Sequence, residues 1–154
     1  MPGFTVYLIN IQSVISQVKR AKLASELELH RPDILGLNET FLDDSVRVLD
    51  IVGYSLVSRK DRPCPSAGTL NRGGIALYRR CGGLLVTHLE DSKIAERSWH
   101  IVHSDVGGVL LGLWYRPPGS PHSHIESFDA ELERLSEGMF GTLVVGDLNI
   151  WHKA

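Results

Sequence analysis

The sequence lacks the features that mark several classes of protein. Only two cysteines occur, Cys64 and Cys81, which are too few and too far apart for a disulfide framework or a thiolate zinc site. No apolar run approaches the roughly 18 residues of a membrane span, and the N-terminus has no basic segment leading into an apolar one. We therefore expect one intracellular domain over residues 1–154, with reduced thiols, no secretory signal and no membrane partner.

An excess of charge of either sign is also absent. The formal net charge is −2 and the pI is about 6.4, whereas proteins that hold DNA mainly through its phosphates are usually more basic. Basic residues cluster locally at residues 59–62 and 79–80, where solvated loop charge is a simpler explanation than a phosphate clamp. The charge therefore gives no support to a nucleic-acid partner, but it is compatible with an enzyme that contacts few phosphates.

What is present is a succession of apolar runs separated by breakers, which predicts a mixed α/β domain. Helices are predicted over about residues 14–29, capped by Ser13, and from a Ser123/Glu126 capping box to a stop at Gly138. The four strands expected between residues 73 and 115 follow each other without helices, which favours antiparallel pairing. Strands are predicted at residues 4–9, 34–37, 54–57, 73–78, 84–89, 98–103, 109–115 and 143–145, with a surface loop at 60–72.

Polar side chains stand at or just beyond the ends of these strands, where a rigid sheet presents functional groups. Mg²⁺ prefers oxygen ligands, commonly one or two carboxylates with water, so Glu39 and the amide oxygen of Asn10 can supply a half-site. Asp147 and Asn149 point to the same side of an extended chain, where they can orient a water molecule. The candidate residues are Asn10, Glu39, Tyr115, Asp147 and Asn149.

Each candidate also has an ordinary structural explanation. Glu39 is compatible with a helix cap or a surface acid, and Asn10 with a turn. Tyr115 suits a half-buried aromatic at a strand end, and the pair Asp147 and Asn149 can form an Asx-turn. The hypothesis of a catalytic centre therefore depends on the whole set coming together.

Five sequence blocks carry a resemblance to a known family. They are LINIQS at residues 8–13, LNET at 37–40, RGGIALY at 72–78, YRPP at 115–118 and GDLN at 146–149. In this order they resemble the endonuclease/exonuclease/phosphatase superfamily, above all the apurinic-type endonuclease domain of non-LTR (LINE-like) retrotransposons. The resemblance implies a four-layer α/β/β/α sandwich, in which two mainly antiparallel sheets lie face to face with helices outside.

The resemblance also implies a reaction. In such enzymes the metal lies near the residues that match Asn10 and Glu39, the match of Tyr115 assists at the scissile phosphate, and the matches of Asp147 and Asn149 position the nucleophile. The implied activity is Mg²⁺-dependent phosphodiester hydrolysis, with Mn²⁺ as a substitute, that nicks DNA in the nucleus. The implied full-length parent carries a reverse transcriptase, and the oligomeric state is not indicated. The residues predicted to bind substrate are Arg116, Arg72 and Arg59.

Two departures from the family pattern qualify this expectation. Gln12 stands where the apurinic repair enzymes carry an acid, and no Ser-Asp-His-type motif follows the GDLN block. The histidines in between do not fall in a matching block: His100 and His103 lie on opposite faces of a strand, and His122 and His124 lie in a loop. We therefore expect a domain that is incomplete at its C-terminus, poorly soluble, and weak or inactive alone.

Two alternatives stay open. Within the superfamily, the substrate can be a phosphoinositide, sphingolipid or nucleotide phosphate instead of DNA, although the Tyr-Arg-Pro-Pro block favours the retrotransposon branch. From a different class, the chain can be a non-catalytic remnant or interaction module, for which we would expect no Mg²⁺ binding.

Overall fold

The computed structural model describes residues 3–47, 49–63 and 72–150, and these form two sheets and two helices. The first sheet has the strand order β1-β2-β4-β3 and the second β5-β6-β7-β8. The elements are β1 (Val6–Asn10), α1 (Gln17–His30), β2 (Ile34–Asn38), β3 (Tyr54–Lys60), β4 (Ile75–Arg80), β5 (Val86–Asp91), β6 (Glu96–Ser104), β7 (Gly107–Tyr115), α2 (Ser123–Leu135) and β8 (Gly141–Asp147).

Strand pairing is mainly antiparallel, as expected. Only β1 with β2 and β7 with β8 are parallel among the described pairs, and each of these pairs is joined by a helix that returns the chain to the same end. The antiparallel pairing expected over residues 73–115 is confirmed by β5, β6 and β7, which form a meander, and by β4, which pairs antiparallel with β2 and β3 of the first sheet instead of joining that meander. Strand β4 is buried on both faces, because Ala76 and Tyr78 pack in the apolar layer on the α1 side and Ile75 and Leu77 pack against the second sheet.

Two apolar layers hold the sandwich together. One lies between α1 and the first sheet and includes Leu23, Leu27 and Leu37, and the other lies between the two sheets and includes Leu77 and Leu113. On the outer face of the second sheet, the α2 ring of Phe128 stacks on Trp99 and Trp114 with centroids 5.8 and 5.0 Å away. The order of layers is therefore helix, sheet, sheet, helix, which confirms the predicted fold class.

Helix α2 is held by polar contacts as well as by apolar packing. None of its residues is fully buried, whereas the side chain of Arg97 on β6 is completely buried beneath it. The Arg97 guanidinium donates to Glu131 at 2.7 Å and to Ser127 at 2.7 Å, and it stacks on Trp114. Because a buried charge must be paired, these bonds fix the helix to the sheet.

Both predicted helix starts are wrong in detail. Helix α1 begins three residues late, because Ser16 rather than Ser13 caps it and accepts from the backbone of Lys19. The capping box at Ser123 does not form, since Ser123 is already the first helical residue and His122 precedes it without a side-chain bond. No helix among the described residues is long and apolar enough to cross a membrane.

The predicted loop at residues 60–72 is only partly testable. Strand β3 continues to Lys60, so the loop starts later than expected. Residues 64–71, with Cys64, lie outside the described part of the chain.

Candidate active site

Four strands end in polar residues at one edge of the sandwich. In the first sheet Asn10 and Asn38 are register partners at the ends of β1 and β2. In the second sheet Tyr115 and Asp147 are register partners at the ends of β7 and β8. Because parallel strands end at the same edge, each sheet contributes a pair of polar groups to the site.

Glu39 joins the two pairs. The side-chain amide of Asn10 donates to the Glu39 carboxylate, and the Tyr115 hydroxyl of the opposite sheet lies close enough to this carboxylate for its negative charge to act on the phenol. Burial raises the pKa of Tyr115 above its ordinary value of 10, and the charge of Glu39 raises it further against the opposing effect of Arg62. The phenol therefore keeps its proton at neutral pH and acts as a hydrogen-bond donor.

The backbone beside these strand ends is strained. Of the six described non-glycine residues with positive φ, five lie in the segments that follow β1, β2 and β8, and such conformations cost about 1–3 kcal/mol each. Backbone bonds hold the first two segments against each other, since Ile11 donates to Asn38 at 3.0 Å and Ser13 to Glu39 at 2.9 Å. The five residues are Gln12, Ser13, Glu39, Phe41 and Asn149.

The glycines of the RGGIALY block allow a close approach to the Glu39 loop. At Gly74, which has φ +90°, a Cβ would lie 2.5 Å from the Thr40 hydroxyl oxygen. The Gly74 amide donates to Glu96 at 2.6 Å, and the Phe41 amide donates to the Gly73 carbonyl at 2.9 Å. A larger residue at Gly74 would push the loop that carries Glu39 away from the sheet.

The YRPP and GDLN blocks form one unit. The Arg116 amide donates to the Asp147 carbonyl, and the Asn149 side chain donates to the Arg116 carbonyl, both at 2.8 Å. The Arg116 guanidinium donates to the Ser120 carbonyl at 2.8 Å and, at 3.4–3.5 Å, to the carbonyls of Leu148 and Asn149. These bonds hold Asp147 and Asn149 beside Tyr115.

The arginines predicted to bind substrate lie in different settings. Arg116 braces the loop after β8, and Arg72 is exposed ahead of β4. Arg59 is bound to Asp61 at 2.7 Å and to the carbonyls of Val46 and Asp43, so its guanidinium braces a neighbouring loop. Substrate binding by these residues stays a prediction, and for Arg59 the structure indicates a structural role instead.

Sequence reasoning missed three residues at this edge. Arg62 lies over the Tyr115 ring at 5.8 Å and forms a 2.6 Å ion pair with Glu96, which is the register partner of Tyr115. The cluster at residues 59–62 pointed to this region, but its sequence did not distinguish Arg62 from Arg59. Asn38 stands inside the LNET block and is fully buried, with neither amide atom hydrogen-bonded.

The sequence model of the Endonuclease/Exonuclease/phosphatase family matches residues 9–154. The chain belongs to this family. Similar solved structures are the endonuclease domain of TRAS1, a telomere-specific non-LTR retrotransposon (14% identity, TM-score 0.64), the human Nocturnin catalytic domain with bound sulfate (15%, 0.66) and the AP endonuclease LMAP from Leishmania major (19%, 0.66). Among curated proteins, no sequence matches the chain.

These likenesses confirm the fold predicted from the sequence blocks. They cover 97%, 96% and 96% of this chain but 61%, 64% and 55% of the respective structures, so the chain spans about three-fifths of their length. The family is hydrolytic, since endonucleases, exonucleases and phosphatases all cleave phosphate esters.

The donor atoms at this edge suit a hard divalent cation. Among the described residues, no three His, Cys, Asp or Glu side chains form a metal-binding group, so a zinc site is not indicated. Mg²⁺ needs only one or two carboxylates with amide oxygens and water. Asn10 gives an N–H to Glu39 and so keeps its amide oxygen for another partner, while Asn38 has an unbonded oxygen. Glu39 and the two amides therefore fit such an ion.

The described histidines have other partners. Nδ1 of His100 donates to the Leu111 carbonyl at 3.1 Å, and Nε2 accepts from the Ser58 hydroxyl at 2.6 Å, a bond that links the two sheets. Burial lowers the pKa of His100 to about 4, so the ring is neutral. His103 is exposed on the other face of β6, as expected, but His124 lies in α2 and not in a loop. No hydrogen bond joins a described histidine to Asn10, Glu39 or Tyr115.

Proposed function

We propose that this chain carries the metal- and phosphate-binding part of a divalent-metal-dependent phosphodiesterase that nicks DNA. The observation that carries the proposal is the meeting of groups from two different sheets at Glu39: the Asn10 amide donates to its carboxylate, and its charge acts on the Tyr115 phenol. Asp147 stands beside Tyr115 in register, so acid, amide and phenol groups meet at one edge. Glu39 also has a positive φ, which costs stability, and a sheet edge with only a structural role would not require that cost.

The residues divide the chemistry among them. Glu39 and Asn10 hold the cation, which when bound stabilises negative charge on the phosphate. The Tyr115 hydroxyl, kept protonated by its surroundings, donates a hydrogen bond to a phosphate oxygen as charge develops. Asp147 accepts a proton or hydrogen bond from the attacking water, and Asn149 orients that water.

DNA is the substrate we favour. Two of the similar structures are endonucleases, one of them from a retrotransposon, and the YRPP block resembles that branch. The exposed side chain of Arg72 brings positive charge to the side of the site formed by the RGG segment. On the same basis we propose that the chain functions beside a reverse transcriptase, with Mg²⁺ or Mn²⁺ as its metal.

Metal binding by the chain tests this proposal most directly. Titration calorimetry with Mn²⁺ would compare the wild-type chain with Glu39→Ala and with Glu90→Ala, which removes an acid from a surface ion pair with Arg134. We expect Glu39→Ala to abolish binding and Glu90→Ala to preserve it. Equal binding by all three proteins, or no binding by any, would contradict the proposal.

We further propose that nicking by the chain alone is weak. No described histidine is hydrogen-bonded to Asn10, Glu39 or Tyr115. These histidines therefore offer no candidate for a group that protonates or orients the scissile phosphate. A supercoiled-plasmid assay with Mg²⁺ checks this, with EDTA and Glu39→Ala as controls. Rapid nicking that depends on Glu39 would show that the described residues suffice.

A further inference from the structure

Asn38 is a polar residue that is completely buried and has no hydrogen bond through its side chain. It ends β2, in register with Asn10 on one side and Ile75 on the other, and none of its surface is exposed. Neither Nδ2 nor Oδ1 has a hydrogen-bond partner. A buried amide without partners is unfavourable for folding, and an apolar residue of similar shape would avoid that cost.

Few other buried groups of the described residues share this condition. They are Oγ of Ser98, Nε1 of Trp114 and Nε of Arg116, each a single unpaired atom, whereas Asn38 has both a donor and an acceptor unpaired. Asn38 also lies directly between the two residues proposed to hold the cation, since Glu39 follows it and Asn10 pairs with it. The position of the unpaired amide therefore coincides with the site.

Alternation along β2 shows where the amide points. Leu35 and Leu37 belong to the apolar layer beneath α1, so Gly36 and Asn38 face the opposite sheet. At Gly36 a Cβ would lie 3.1 Å from the side chain of Leu113 on β7. Two residues further along β7, on the same face, is Tyr115. The Asn38 side chain thus enters the layer between the sheets at the end where Glu39 and Tyr115 meet.

We propose that Asn38 is a positioning residue for the divalent cation: its amide binds the water that hydrates the ion and so fixes the ion against Glu39 and Asn10. This inference rests on the proposed function. Mg²⁺ and Mn²⁺ in proteins keep several waters, and an amide can both donate to and accept from such waters. Groups that orient the surroundings of a metal typically contribute ten- to a hundredfold to its affinity.

The test measures Mn²⁺ affinity by calorimetry and the melting temperature without metal, on the full 154-residue chain. Asn38→Leu keeps the shape but removes the polar atoms. We expect its melting temperature to equal or exceed that of the wild type, and its Mn²⁺ affinity to fall ten- to a hundredfold. Ser98→Ala is the matched control, because it also removes a buried unpaired atom, and it should leave Mn²⁺ affinity unchanged.

Asn38→Asp provides a second, independent arm should the leucine variant fail to fold. A buried carboxylate lowers the melting temperature without metal, and Mn²⁺ should then raise it by more than it raises that of the wild type. Wild-type affinity in Asn38→Leu, or no extra metal stabilisation in Asn38→Asp, would overturn the inference and leave the proposed function intact. Absence of Mn²⁺ binding by the wild type would overturn both.

Discussion

The side-chain amide of Asn10 donates to the carboxylate of Glu39, although 29 residues separate them in the chain. The contact follows from the β1-α1-β2 unit, in which a 14-residue helix returns the chain so that two parallel strands end side by side. The bond also sets the direction of the Asn10 amide, with its nitrogen toward Glu39. A cation that binds here would meet an oriented amide oxygen rather than a freely rotating one.

Asn10→Asp should make stability depend on pH in a characteristic way. Two adjacent carboxylates repel each other, so the pKa of the pair rises in the folded state and the folded protein binds more protons than the unfolded one. Relative to the wild type, the variant should be least stable at pH 7 and recover as the pH falls toward 4, and Mn²⁺ should restore stability at pH 7. Thermal melts at several pH values would measure this.

The control for that experiment is Val52→Asp, which places a new acid at a side chain that is 98% exposed. An isolated exposed carboxylate has little effect on stability at any pH. If Asn10→Asp behaved like this control, the Asn10 and Glu39 side chains would not be in contact in solution.

Tyr115→Phe should reduce the nicking rate by about a hundredfold, because it removes one hydrogen-bond donor to the phosphate. Since burial and the charge of Glu39 raise the pKa of Tyr115 above 10, ionisation of this phenol should not lower the wild-type rate below pH 10. Tyr7→Phe is the matched control, because it removes a phenol that donates to a carboxylate, Glu26, at helix α1 and away from the site. Plasmid nicking under enzyme excess measures both variants, and equal losses would contradict a specific role of Tyr115.

Most strands could be predicted from the sequence, but the assignment of strands to sheets could not. Apolar runs such as residues 34–37 and 109–115 predict strands, because polar and turn-forming residues in the local sequence end each run. The choice of β4 to pair with β2 and β3, rather than with β5, depends on long-range contacts. The start of α1 could not be predicted either, because Ser13 and Ser16 are equally suitable caps in the sequence. Only tertiary contacts place Ser13 at φ 88°.

The candidate site shows the same division. Asn10, Glu39 and Tyr115 could be named as candidates because they stand at the ends of apolar strands within ordered blocks, and the structure places them at one edge of the sandwich. Glu96 gave no indication in the sequence, since its position opposite Tyr115 is a matter of strand register. The burial of Asn38 likewise depends on the packing of the two sheets, which no local pattern encodes.

His100 should make the fold sensitive to mild acid. Its pKa is lowered from 6.5 to about 4 by burial, so between these values the unfolded chain binds a proton that the folded chain does not. Stability should therefore fall as the pH drops from 6.5 to 4, by up to about 3 kcal/mol in total, and this contribution should not change further below pH 4. Urea unfolding of the wild type and His100→Gln at pH 7, 5.5 and 4.5 would measure the difference in slope.

The exposed neighbour His103 supplies the control, through His103→Gln. This variant should keep the pH dependence of the wild type, whereas His100→Gln should lose part of it. Identical slopes for the wild type and His100→Gln would mean that the ring is not buried as a neutral group.

Gly146 of the GDLN block should tolerate no side chain. A Cβ at this position would overlap the carbonyl oxygen of Trp114, a backbone atom of β7 that cannot rotate away. Gly146→Ala should therefore force β8 from β7 and lower the free energy of unfolding by about 3 kcal/mol or more, and it should displace the neighbouring Asp147. Gly141→Ala on the same strand, where a Cβ would meet nothing within 4 Å, should change stability by less than about 1 kcal/mol. Urea unfolding of both variants decides the matter: similar stabilities would show that β8 does not pack on β7 in this register.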